Sequence, residues 1–171
     1  FAPMDWHALE MLCGYLSAVI TGFLLTAIPN WTGRLPVRGR PLGVLVALWL
    51  LSRAAVLASG WDASTLPFVP AFPAAVAFLA MREVLAGRNW RNLPVALLVS
   101  LFALCDIVFV AATWLDADTG IPLRAGLAVV AVLLLLIGGR IIPSFTRNWL
   151  AKRRAARMPA TFSDFDRVAL A

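Results

Sequence analysis

Five apolar runs, each about as long as a bilayer-crossing helix, decide what this chain can fold into. They cover residues 9–28, 41–59, 66–85, 93–115 and 122–142. A helix needs about 20 apolar residues to cross the hydrocarbon core. A single 171-residue core could not hide so much apolar surface: the chain is 61% hydrophobic and 14% charged, where soluble domains carry about 25% charged residues. The runs are too long for strands and show no apolar–polar alternation. Gly, Pro, Asn and Asp break the sequence between them. The expected fold is all-α, a polytopic helical membrane protein with about five spans in one transmembrane domain, residues 1–171.

The charges between the runs test that count. The first connection carries Arg34, Arg38 and Arg40; the third carries Arg82, Arg88 and Arg91. The second carries Asp62, and the fourth Asp116 and Asp118. Basic and acidic connections alternate in register with five crossings. The positive-inside rule then puts the odd connections and the basic tail, 143–171, in the cytoplasm and the N-terminus outside. The tail holds Arg147, Lys152, Arg153, Arg154 and Arg157 beside Phe145 and Trp149. It reads as a positive-inside flank, or as an interfacial helix on anionic lipid. The net charge of +6 therefore has a membrane explanation. No base-stacking pattern of aromatic and basic residues points to nucleic acid.

The chain starts at Phe1 without a basic leader. Residues 166–171 read as the start of a further apolar run. The expectation is a piece of a longer membrane protein, whose other helices would be its partners alongside membrane lipid. Cys13 and Cys105 both lie inside apolar runs and read as buried small hydrophobes. Asn30-Trp31-Thr32 fits a glycosylation sequon on the expected cytoplasmic side, so it is a chance match.

Polar residues inside the runs are the candidate site. His7 is the single histidine, and Glu10 follows three residues later. On a helix the two share a face. They fit a metal or haem ligand set, a proton relay, or a wet interface with Glu10 stabilised at a helix N-terminus. Gly14, Ala18, Gly22 and Thr26 continue from Glu10 at four-residue intervals, a seam that lets another backbone approach. Arg53 and Asp106 lie about 18 and 20 Å from the inner ends of their runs. Charges at mid-membrane need partners, and the matched depths predict an Arg53–Asp106 ion pair. The other reading makes the two residues the lining of a polar pathway, as in a transporter or channel. Pro67, Pro70 and Pro73 open the third run, and Pro73 is expected to bend it.

Residues 6–34 (WHALEMLCGYLSAVITGFLLTAIPNWTGR) and 138–150 (GGRIIPSFTRNWL) resemble the NnrS family of bacterial inner-membrane proteins. Membership would imply haem and copper as cofactors, and a role in nitric oxide metabolism, nitrosative stress and denitrification. The resemblance carries over to Trp6, His7, Glu10, Met11, Pro29, Asn30, Trp31, Gly139, Arg140, Pro143, Thr146, Arg147 and Asn148. Of these, His7 and Glu10 are the cofactor-ligand candidates, with His7 the metal ligand. The family pattern reads W-H-A-H-E-M where this chain has W-H-A-L-E-M, so Leu9 replaces a second histidine. Either one ligand is lost or the second histidine is dispensable. Positions two apart on a helix point about 200° apart, so one centre could not take both from a regular helix.

Overall fold

A computed structural model describes residues 3–59, 68–153 and 158. All the regular structure among them is helical. The helices are α1 (Pro3–Leu9), α2 (Ser17–Thr32), α3 (Arg40–Ser59), α4 (Ala71–Ala86), α5 (Leu93–Trp114) and α6 (Gly120–Lys152). A π-helical segment, Glu10–Leu16, joins α1 to α2. The chain divides into two compact units, residues 1–129 and 130–171.

Among the described residues four helices are long and apolar enough to cross a membrane: Met4–Thr32, Arg40–Ala58, Trp90–Trp114 and Gly120–Lys152. The third expected span differs. α4 has 16 residues, about 24 Å, which is short of the roughly 30 Å hydrocarbon core. Pro70 is its N-cap, so Pro73 falls in the first turn, where its missing N–H removes no helical bond. The bend expected at Pro73 therefore has no cause. Pro67 lies outside the described residues.

In the first unit, α4 is the hub and packs on α2, α3 and α5. Its buried stripe is Phe72, Val76, Ala77, Ala80 and Val84, the spacing of one helical face. α5 answers with Val95, Val99, Phe102 and Phe109. α3 buries only Leu45, Ser52 and Val56 and leaves Val44, Val46, Leu50, Leu51 and Leu57 exposed. Leucine and valine so exposed are at home in lipid, not water.

The two ends of this unit differ in charge. At one end Gly33, at φ 68°, closes α2 by donating its N–H to Pro29 O. There Arg34 Nε lies 2.6 Å from Glu83 Oε2, and Asn89 Nδ2 donates to Trp31 O. The two arginine-bearing connections thus meet. At the other end Thr119 Oγ1 donates to Asp5 Oδ1 at 3.4 Å, and Asp118 Oδ1 accepts the Gly120 N–H at 2.8 Å, capping α6.

The second unit holds the rest of α6. The expected span ended at 142 and gave way to a tail, but α6 runs on to Lys152, 33 residues in all. Pro143 sits inside it. Gly139, four residues earlier, is the position whose carbonyl a proline ring crowds. A Cβ added at Gly139 would meet nothing within 4 Å, so this glycine is not there for tight packing. Residues 166–171, expected to start another run, lie outside the described residues.

Candidate intramembrane polar site

The site begins with the π-helical segment. In it the Ser17 N–H bonds back to Leu12 O as well as to Gly14 O, the i→i−5 spacing of a widened turn. Ser17 Oγ donates to Cys13 O and lies 3.3 Å from Gly14 O, satisfying carbonyls that the widening loosens. The wider turn keeps Glu10 and Gly14 on one side, toward α3.

α3 is fastened there by a short run of its own residues. Trp49 Nε1 donates to Gly14 O at 3.0 Å. Ser52 Oγ donates to Trp49 O at 2.8 Å, and Arg53 Nε donates to Ser52 Oγ at 3.3 Å. The Arg53 guanidinium then lies over Gly14. A Cβ at Gly14 would stand 2.7 Å from Arg53 Nη1 and 3.0 Å from Glu10 Oε2. Only glycine leaves that space open.

The charges pair differently from the expectation. Arg53 Nη1 lies 2.8 Å from Glu10 Oε1. Asp106 was the expected partner; no ion pair joins it to Arg53 among the described residues, although the two remain electrostatic neighbours. Arg53 and Asp106 are each 13 residues, about 20 Å, from the start of their helix. What depth cannot give is the direction around the helix axis. The widened turn brings Glu10 within reach of Arg53, and the flexible arginine stem reaches to it.

Asp106 is 1% exposed. Neither of its carboxylate oxygens has a hydrogen-bond partner among the described residues. Its polar neighbour is the Cys13 thiol. Arg53 Nη1 and Nη2 are likewise without hydrogen bonds, so the contact with Glu10 is one of charge proximity. Cys13 and Cys105 are both free and buried. Gly126 of α6 closes this part of the core, its Cβ position 3.6 Å from Cys105 Cβ.

The other candidates separate. His7 is exposed, and Leu9 is fully buried at 0%. The two positions face opposite ways, as their spacing predicts. The small-residue seam is also divided. Gly14 is buried under Arg53, while Gly22 is exposed with nothing within 4 Å of its Cβ position. The widened turn shifts the register between them. Among the described residues no group of three His, Cys, Asp or Glu side chains is placed to hold a metal ion. With Glu10 beside Arg53 and leucine at position 9, these residues do not by themselves make a haem or copper site.

Sequence reasoning missed the π-helical segment and the Glu10–Arg53 pair. The one available signal was the four-residue step from Glu10 to Gly14, a carboxylate followed by a residue without a side chain.

Four long apolar helices, together with charged residues held between helices, define a multi-pass helical membrane protein. The family model for the NnrS protein matches residues 1–171, and the chain belongs to that family. No curated protein and no solved structure matches it.

Proposed function

We propose that this chain serves, as an NnrS-type haem- and copper-linked protein of the bacterial inner membrane, in nitric oxide metabolism or protection from nitrosative stress. The observation that carries this reading is the family match over all 171 residues. The N-terminus is assigned to the outer side and the arginine-bearing connections to the cytoplasm. His7, exposed one turn before Glu10, is then the ligand this segment offers. Any centre it joins takes its remaining ligands from outside the described residues. Haem or copper bound there would supply a site for nitric oxide coordination.

Optical spectra and metal analysis of the purified full-length protein test this, with His7→Ala alongside. Haem or copper that falls on loss of His7 supports the reading. A protein free of both, in a strain whose deletion does not alter growth under nitric oxide, sinks it.

A polar pathway is the second reading. It is favoured by the buried Asp106 oxygens, neither of which has a hydrogen-bond partner among the described residues. Polar groups kept unsatisfied in a membrane interior mark functional positions more often than structural ones. Substrate flux in proteoliposomes that disappears with Asp106→Leu would support it. Unchanged flux in that variant would count against it.

A further inference from the structure

The end of α6 is too long for its membrane. Its 33 residues extend about 50 Å, against a hydrocarbon core of about 30 Å. The last three turns therefore lie at or beyond the headgroup layer. The expected tail is instead an ordered surface.

That surface has two sides. Ile142, Phe145 and Trp149 follow one another at helical spacing and are exposed, at 67%, 70% and 53%. Lys152 and Arg153 border this stripe and are exposed. The Arg153 guanidinium carbon stands 4.0 Å from the centre of the Trp149 ring, which turns the charge toward the aromatic side. Arg147 is exposed on the opposite flank. Between Gly120 and Met158 the sequence has no Asp or Glu. Thr146 Oγ1 donates to Ile142 O at 2.8 Å, so its hydroxyl adds little polarity to the stripe.

We propose that residues 142–153 form a docking surface for anionic phospholipid headgroups, with Phe145 and Trp149 seated in the headgroup layer and Lys152 and Arg153 on the phosphates. Charge complementarity chooses the occupant: a run of cations without a single acid fits an anionic leaflet, and a tryptophan beside it fits the interface. The Gly139–Pro143 pair marks the point at which the helix can turn onto that surface.

The test uses the full-length protein with Cys13→Ala and Cys105→Ala. One nitroxide is placed through Thr146→Cys, beside the stripe, and, separately, another through Ala151→Cys, exposed on the far side of the helix, about 140° from the first. Each is reconstituted in phosphatidylcholine vesicles with and without phosphatidylglycerol. Collision with oxygen and with a water-soluble nickel chelate is then measured.

The proposal expects the label at 146 to lose nickel collisions only when phosphatidylglycerol is present, and to regain them at high salt. The label at 151 stays wet. Lys152→Gln and Arg153→Gln should each weaken the anionic preference about fivefold, and Arg147→Gln, on the far side, should weaken it less. Shielding at 146 that is equal in both lipids would mean that protein covers the stripe, and would overturn the proposal. A label at 146 that is water-exposed in both would overturn it as well.

Discussion

Arg53 Nη1 reaches Glu10 Oε1, at 2.8 Å, across a glycine that has no side chain to obstruct it. The pair joins a widened helical turn to the middle of α3. Its side chains are 11% and 24% exposed, so each charge has given up most of its water. Removing one partner leaves the other stranded, which costs more than removing both. A double-mutant cycle with Arg53→Met and Glu10→Gln should therefore give a coupling of about 1–2 kcal/mol, within the usual range for contacting charged residues. The cycle of Arg53→Met with Asp106→Asn should give a clearly smaller value. Unfolding in mixed detergent micelles reads both. A larger Arg53–Asp106 coupling would restore the pairing that the matched depths predict.

Gly14→Ala should cost no more than about 1 kcal/mol, because the added Cβ meets the mobile end of the Arg53 side chain, which can swing aside at the expense of its contact with Glu10. The added Cβ would stand 2.7 Å from Arg53 Nη1, and the helix backbone cannot retreat while Trp49 is bonded to Gly14 O. Gly22→Ala is the matched comparison. Its Cβ meets nothing, so the gain in helix propensity, up to about 1 kcal/mol, is unopposed. Thermal midpoints of the two variants should move in opposite directions. A fall for both would mean that glycine matters here through backbone freedom and not through the Arg53 contact.

Asp106→Leu should stabilise the protein or leave it unchanged. A buried polar atom without a partner costs about 1–3 kcal/mol, and both Asp106 oxygens are of this kind. A leucine of similar size removes that cost. If the same variant abolishes the protein's activity, the aspartate is retained for function against stability. A large loss of stability would instead reveal a partner for Asp106.

These three predictions turn on features that differ in how legible they were. The helices were plain because a bilayer crossing imposes a length, and because basic and acidic connections alternate. Arg53 and Asp106 were found by depth, since rise per residue is fixed. Their pairing was not, because the π-helical segment changes the azimuth of Glu10 without changing composition. The same segment divided the Gly14–Gly22 seam. α4 proved shorter than its apolar run because Pro70 caps it. α6 proved longer because hydropathy ends at 142 while helical bonding does not.

Position 9 gives the last prediction. Leu9 is fully buried, and His7, two residues earlier, is exposed. Placing there, through Leu9→His, the histidine that the resemblance implies therefore points an imidazole into the protein. With no ligand to hold it, the buried polar ring should cost about 1–3 kcal/mol. His7→Ala, on the exposed side, should change stability by no more than about 0.5 kcal/mol. Haem or copper reaching the inward face would reverse the first result, because a ligand that binds only the folded state raises stability by mass action. Thermal midpoints of the Leu9→His protein, measured with and without added haem and copper, separate the outcomes. A midpoint that rises with metal or haem in Leu9→His but not in the native chain would make position 9 a ligand position. A midpoint that stays low under every addition would mean that position 9 faces apolar packing and that His7 alone belongs to the metal-binding side.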